Sequence, residues 1–196
     1  MISRKRIGVL GGTFDPIHNA HIEIARSALA AASLDVVLFI IAPSPPHKQE
    51  GIVASPEQRM AMIEAALVGE SHMEACDLEM KRSGPSYTAT TLEQLTDLYP
   101  DSELFLILGL DSLIDLPNWR NPKTILALAH ILAVSRPGET PPTDPILAGK
   151  FDLIPFEETD VSSTEVRRKI KAGEAVDQLL PASVIDVIRE RRIYEP

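Results

Sequence analysis

The sequence predicts an α/β protein: a doubly wound, mostly parallel sheet with a small helical region at its C-terminal end. Three observations lead there. Short apolar, β-branched runs alternate with segments of helical spacing along almost the whole chain. The runs are nearly continuous in apolar character, as strands covered on both faces are. The first run, Arg6 to Leu10, leads into Gly11-Gly12 and then a helix, which is the opening of a right-handed crossover unit.

Taken in order, the strand Arg6 to Leu10 and its glycine turn are followed by Ile17, Ala20, Ile24, Ala25, Ala28 and Leu29 at helical spacing beyond Asp15-Pro16. Asp35 to Ala42 is a buried strand, and a proline-rich loop follows it. Ser55 caps a helix with Pro56 at its first position and Gln58 three residues after the cap, which predicts a helix to about Val68. His72 to Leu78 is the next strand candidate, Tyr87 to Leu98 has helical spacing, and Glu103 to Leu108 is another buried strand. His130 to Val134 and Asp152 to Pro155 are two more. The Pro/Thr-rich stretch Arg136 to Asp144 reads as a surface loop. Ser163 to Tyr194 reads as two short helices broken near Pro181, so the expectation is a single domain over 1–196 with 163–196 as a helical C-terminal subdomain.

Composition narrows the function. A chain of 196 residues, 44% hydrophobic and 24% charged, can bury a core without disulfides or a structural metal. The lone cysteine, Cys76, cannot form an internal disulfide or a Cys-rich zinc site, which points to a reducing cytoplasm; Cys76 itself is read as a buried strand residue without reactivity. With 19 Lys+Arg against 28 Asp+Glu the net charge is -9, which disfavours broad nucleic-acid binding. The longest apolar run, Val36 to Ala42, is too short to cross a bilayer, and Met1 to Arg6 leads into a strand without an apolar signal core, so no membrane partner is expected.

In a doubly wound sheet, ligands bind beyond the carboxyl ends of the strands. The segment from Gly11 to His21 lies at such an end. It has neither Gly-x-Gly-x-x-Gly nor Gly-Lys-Ser/Thr, so neither common nucleotide motif explains it. Its glycines allow a phosphate close to the backbone, and the helix N-terminus beyond offers free N–H groups. His18 and His21 share one face of the first helical turn and could donate to a phosphate whose charge grows in a transition state. An ordinary turn and cap with two partly exposed histidines is the alternative; a zinc pair lacks a third ligand. Pro45-Pro46-His47-Lys48 is a stiffened loop that could hold a cation in place, or a plain surface loop. Ser162 and Glu165 fit a capping box, and with Thr164 and Arg167 they suit either an anion or an ordinary cap with a solvated basic face. Trp119, the only tryptophan, is either a core residue or a loop aromatic placed to stack on a flat, cationic heterocycle. Ser86-Tyr87-Thr88 opens a helix whose free N–H groups could bind a small carboxylate.

These residues resemble a known family. Gly11 to His21 is similar to the first motif of the nucleotidyltransferases with a histidine-x-glycine-histidine pattern, and Ser162-x-Thr164-x-x-Arg167 to their second. Within that superfamily Pro45 to Lys48, Gly84-Pro85-Ser86-Tyr87-Thr88, Gly109 to Leu113, Trp119 and Ser135-Arg136-Pro137 resemble the nicotinate-nucleotide adenylyltransferases, over essentially the whole chain in order. The resemblance implies a Rossmann-like nucleotidyltransferase fold and transfer of the adenylyl group of ATP to nicotinate mononucleotide by direct in-line attack. It implies Mg²⁺ held mainly by phosphates and water, with no metal-binding protein cage. Carried over by position, Gly12, Thr13 and Phe14 approach ATP through the backbone, His18 and His21 bind its phosphates, and Ser162, Thr164, Arg167 and Lys48 hold the outer phosphates. The same resemblance implies His18, His21 and Arg167 as the catalytic set. Gly109 and Asp111 lie where sugars and metal meet. Trp119 stacks on the pyridine ring, with His47, Ser86, Tyr87 and Thr88 on the same substrate.

Two departures stand out. Ala20 occupies the usual motif glycine and adds a methyl group near the nucleotide, and Ser44 stands where an asparagine is frequent, so that asparagine's role is not transferred. Arg120, beside Trp119, would favour the nicotinate carboxylate over the nicotinamide amide. The alternatives are an adenylyltransferase for nicotinamide mononucleotide or phosphopantetheine, and a nucleotide-binding regulator without turnover. A homo-oligomer is compatible with all of these readings.

Overall fold

The structure, a computed structural model, describes residues 4–44, 51–135, 138–156 and 161–195. Among these, the strands are β1 (Lys5–Gly12), β2 (Val36–Ile41), β3 (Met73–Cys76), β4 (Ser102–Gly109), β5 (Ala129–Ser135) and β6 (Phe151–Pro155). The helices are α1 (Asn19–Ala32), α2 (Pro56–Ala66), α3 (Thr88–Leu98), α4 (Leu110–Asp115), α5 (Pro122–Leu128), α6 (Ser163–Lys171) and α7 (Ala182–Glu190), with short 3₁₀ turns at Leu116–Asn118 and Pro145–Leu147. One six-stranded sheet runs in the order β3-β2-β1-β4-β5-β6, parallel throughout. This is the expected doubly wound arrangement, and strand order reverses between β1 and β4, where such sheets open a crevice for ligands.

Successive strand residues point to opposite faces, and here both faces are apolar. Val37, Phe39 and Ile41 of β2 enter one core with Leu10, Ile107 and Leu132, beneath Ala25 of α1, Ile63 of α2, Val166 of α6 and Ile185 of α7. Val36, Leu38 and Ile40 enter the other with Val9, Leu106 and Ile131, beneath Leu92 of α3, Leu113 of α4 and Ile125 of α5. That two-sided burial is why the strands read as unbroken apolar runs. The helices after residue 162 share the first core.

Local chemistry explains most boundaries. Ser55 Oγ accepts from the Gln58 amide at 3.2 Å and Gln58 Oε1 accepts from the Ser55 amide at 2.9 Å, the full reciprocal cap. At α6 Ser162 Oγ accepts from the Glu165 amide at 3.2 Å. The Glu165 carboxylate, however, takes two bonds from Arg168, so this cap is anchored by Ser162. Three expectations shift. The strand β1 extends through Gly11 and Gly12, which pair with Ile40 and Ile41, so the turn is Thr13 to His18. Ile17 lies before α1 and His18 is its N-cap. Residues 110–128, read only as a strand end and a loop, form α4, a 3₁₀ turn and α5: Pro117 and Pro122 cut the apolar spacing into pieces too short to register as helices, yet each sits at a first helical turn, where proline costs nothing.

Arg59, on the buried stripe of α2 with Met62, Ile63 and Ala66, is 1% exposed. Its guanidinium donates to the carbonyls of Ala54 (3.2 Å), Thr13 (2.7 Å), Ala42 (2.9 Å) and Pro43 (3.3 Å). One side chain thus ties the exits of β1 and β2 to the start of α2. Replacing Arg59 by Met should destabilise the fold by about 3 kcal/mol or more, since each stranded buried carbonyl keeps its desolvation cost. Lys should recover only part of the loss, because a single ammonium cannot span the four carbonyls. Urea unfolding of the three proteins checks both statements.

Candidate active site

The carboxyl ends of β1, β2 and β4 open on a cavity of about 230 Å³ on the α3/α5 side. Gly12 at the end of β1 and Thr13 just after it, Ala42 just after β2, Ser86, Tyr87 and Thr88 at the start of α3, and Trp119 with Arg120 line it. Tyr87 is the N-cap of α3, so the free amides of the first helical turn lie at the cavity wall. The Trp119 indole is half-buried, packed against the second core, and its Nε1 donates to Asp115 Oδ2 at 3.2 Å, which fixes the ring orientation. The Arg120 guanidinium stacks 4.4 Å above the Tyr87 ring and brings a positive charge to the cavity. Glu79 also lines the cavity. It accepts from Thr91 and lies 3.4 Å from Arg82, while its Oε2 and the Ser86 hydroxyl are buried without a partner among the described residues. Polar atoms left in that state suit a polar ligand.

The second half of the site surrounds the Thr13–His18 turn. A Cβ on Gly12 would come within 2.9 Å of the Phe14 ring, so only glycine fits there. Phe14 takes a left-handed backbone conformation, φ 49°, that costs a bulky residue roughly 1–3 kcal/mol. Its ring is held at 1% exposure against Phe39 and edge-on to His21 at 5.0 Å. The His18 and His21 rings stack with centroids 3.7 Å apart. The His18 amide donates to His21 Nδ1 at 3.2 Å, which leaves the proton of neutral His21 on Nε2. His18 is 6% exposed, and burial pushes its imidazole down to about 4, so it is neutral at pH 7 and its partner in the stack is spared a like charge.

Arg167, on α6, meets this turn from the other side. Its Nη1 donates to the Asp15 carbonyl at 2.7 Å and lies 3.6 Å from Asp15 Oδ2, while Nη2 is 3.4 Å from Thr164 Oγ1. Ser163 Oγ donates to the Pro16 carbonyl at 2.9 Å, which seats the N-terminus of α6 beside the histidines. Asp15, 2% exposed, accepts from the amides of Val53 (2.8 Å) and Ala54 (3.1 Å) and from the Tyr194 hydroxyl (2.6 Å).

Of the residues selected from sequence, Gly12, Thr13, Ser86, Tyr87, Thr88 and Trp119 meet at the cavity. His18, His21 and Arg167 gather around the turn, with Ser162 and Thr164 at the exposed start of α6. Phe14 contributes backbone there while its side chain is core. Gly109 ends β4 and Asp111 stands exposed in the first turn of α4. Asn19 and Ser44 are structural ties: Asn19 bonds Gln178 and Leu179, and the Ser44 carbonyl accepts from the Ser86 amide. His47 and Lys48 lie outside the described residues. Arg59, Asp15, Glu79 and Tyr194 were not selected from sequence. The signal for Arg59 was an arginine on an apolar helical stripe, and for Glu79 the Glu79-x-x-Arg82 pair ahead of Ser86.

A model of the cytidylyltransferase-like family matches residues 9–169, a span that contains both motifs, so fold and site define a nucleotidyltransferase. The chain is 38% identical over 190 residues to a probable nicotinate-nucleotide adenylyltransferase of Shouchella clausii, covering 97% of each chain. It is 37% identical over 198 residues to that of Desulfitobacterium hafniense, covering 97% of this chain and 96% of the relative. The chain belongs to the nicotinate-nucleotide adenylyltransferase family. Its fold is shared by the Plasmodium falciparum nicotinic acid mononucleotide adenylyltransferase complexed with NaAD, at TM-score 0.80 and 21% identity over 97% of both chains. No helix among the described residues is long and apolar enough to cross a membrane.

The depressed His18 imidazole has a consequence for stability. The unfolded chain takes up this proton near pH 6.5 and the folded chain only near 4, so stability is complete above 6.5 and falls as pH drops towards 4. The loss from this group should approach about 3 kcal/mol. Urea midpoints between pH 7 and 4 should fall less steeply for His18→Gln than for the wild type.

Proposed function

We propose that this chain transfers the adenylyl group of ATP to nicotinate mononucleotide, forming nicotinate adenine dinucleotide and pyrophosphate for NAD synthesis. The observation that carries this reading is the division of one site into two halves at the end of β1. On one side is an aromatic-walled cavity with a cation, on the other a neutral histidine pair with Arg167 at a helix N-terminus. The substrate's 5′-phosphate oxygen attacks the α-phosphorus in line; the new P–O bond forms as the bond to the bridging oxygen breaks, and pyrophosphate leaves with that electron pair. No protein nucleophile takes part, so catalysis is positioning and charge stabilisation.

The amides near Gly12, Thr13 and Phe14 donate to the phosphate chain at close range. His21 donates from Nε2 to the transferring phosphate, with His18 beside it. Arg167, Ser162 and Thr164 hold the outer phosphates, where Lys48 adds charge. Trp119 stacks on the pyridine ring, and Ser86, Tyr87, Thr88 and His47 serve the same substrate, its carboxylate lying towards the α3 N-terminus. Gly109 and Asp111 border the sugars. Mg²⁺ would be carried chiefly by the phosphates and water, with the exposed Asp111 carboxylate in the first turn of α4 available to the metal from the protein. When bound, the metal neutralises phosphate charge. The half-buried Cys76 thiol, pushed up by burial, is unreactive there and suits the cytoplasm.

With ATP and Mg²⁺, the purified protein should release pyrophosphate faster with nicotinate mononucleotide than with nicotinamide mononucleotide or phosphopantetheine. Release with another acceptor alone would replace the substrate assignment, and release with none would leave a nucleotide-binding regulator. His21→Ala should lower kcat by a factor of about 10²–10³ or more with an unchanged circular dichroism spectrum. Arg167→Ala should raise the KM for ATP as well as lower kcat, because its partner carries charge in both ground and transition states.

Arg120 generates a separate prediction. Arg120→Ala should reduce the ratio of kcat/KM for the acid over the amide by about tenfold, the value of one charge-assisted contact. An unchanged ratio would assign acid selection to the α3 amides alone.

A further inference from the structure

Polar contacts tie the chain beyond residue 161 to the turn that carries the histidines. Ser163 holds the Pro16 carbonyl and Arg167 the Asp15 carbonyl, while Asn19 bonds the carbonyls of Gln178 and Leu179. Tyr194 differs from these in reaching a charge. Its hydroxyl donates to Asp15 Oδ1 at 2.6 Å, across 179 residues of sequence, and both residues are nearly inaccessible to water, at 4% and 2% exposure. Tyr194 does so from φ 68°, a left-handed conformation that a bulky side chain keeps only where its surroundings over-determine it. The ring alone would fill space equally well without the oxygen.

The Asp15 carboxylate has a limited set of donors: two amides, the Tyr194 hydroxyl, and the Arg167 guanidinium at 3.6 Å, which is beyond hydrogen-bond distance. Arg167 Nη1 is instead bonded to the Asp15 peptide oxygen. A guanidinium beside a buried carboxylate that has lost one of its donors tends towards the bidentate pair, the strongest arrangement open to both groups. The hydroxyl of Tyr194 supplies the donor that otherwise has to come from Arg167.

We propose that Tyr194 is a positioning residue for the phosphate-binding half of the site: by hydrogen-bonding the Asp15 carboxylate, it keeps Arg167 on the Asp15 carbonyl with its remaining donors open to phosphate. The proposal rests on the reading of Arg167 as a phosphate ligand. It makes the segment after α7 part of the site although that segment touches no substrate.

The test uses Tyr194→Phe in the full chain, which removes one oxygen and keeps the ring. Inorganic pyrophosphate, titrated calorimetrically, should bind about tenfold more weakly than to the wild type, and the KM for ATP should rise by a similar factor while the acceptor's KM stays within about twofold. Adding Asp15→Asn should restore most of the pyrophosphate affinity, since an amide carries no charge to draw Arg167 away. A structural role alone would lower the melting temperature and leave that split and that rescue absent. The proposal falls if Tyr194→Phe binds pyrophosphate as the wild type does, if both KM values rise together, if the folded double variant shows no recovery, or if the wild type binds no pyrophosphate. Should the double variant not fold, the pyrophosphate affinity of Tyr194→Phe decides. Wild-type turnover with nicotinate mononucleotide tests the reaction separately, because pyrophosphate binding requires no acceptor.

Discussion

Arg59 and Asp15 are both nearly inaccessible to water, and a buried ion must find its hydrogen bonds inside the protein. That requirement shapes the site. Arg59 spends its donors on the carbonyls of Thr13, Ala42, Pro43 and Ala54, backbone groups that leave the sheet where no strand partner remains for them. Asp15 does the converse and gathers the amides of Val53 and Ala54. Between them the two ions turn the loose exits of β1 and β2 into a fixed frame. An apolar pair of the same volume could fill the space but could not satisfy those peptide groups.

The frame separates two environments that suit different ligand chemistry. A flat ring gains from apolar and aromatic walls, whereas a triphosphate needs donors and positive charge. Because β1 lies at the point where strand order reverses, the two faces of the sheet diverge there, and the cavity and the histidine turn open on opposite sides of one strand end. Gly12 and Thr13 stand where the two sides meet. Stacking His18 on His21 fits this division: two imidazoles with centroids 3.7 Å apart cannot both be charged at low cost, and burial keeps His18 neutral, while Arg167 brings a fixed positive charge to the same turn.

What was legible in the sequence was whatever depends on local chemistry. The Ser55–Gln58 cap, the β-branched runs and the His18/His21 spacing each follow from a few adjacent residues, and each stands where expected. The glycine turn was misplaced by two residues because Gly11 and Gly12 are bad strand formers held in β1 by their pairing with β2, a tertiary effect. The α4–α5 segment was missed because prolines at its helix starts look like interruptions. Asp15, Arg59 and Tyr194 were missed for a deeper reason: their partners are separated by up to 179 residues, and no local pattern announces such a pair. Only the Arg59 position, charged on an otherwise apolar stripe, carried a readable conflict between local rule and global fold.

Ala20 shows how such a conflict resolves. In the motif this position is a glycine, and a methyl group there was expected to press on the nucleotide. Ala20 is 6% exposed, in the first turn of α1, so its side chain is already covered by protein and does not stand in the open side of the site. In exchange α1 gains helix propensity of about 0.5–1 kcal/mol in its first turn. A glycine there gives room; an alanine gives a stiffer N-terminus. With His18 as the cap and Asn19 fastened to the carbonyls of Gln178 and Leu179, two adjacent residues fix the start of this helix, and the added rigidity of Ala20 falls on the same turn.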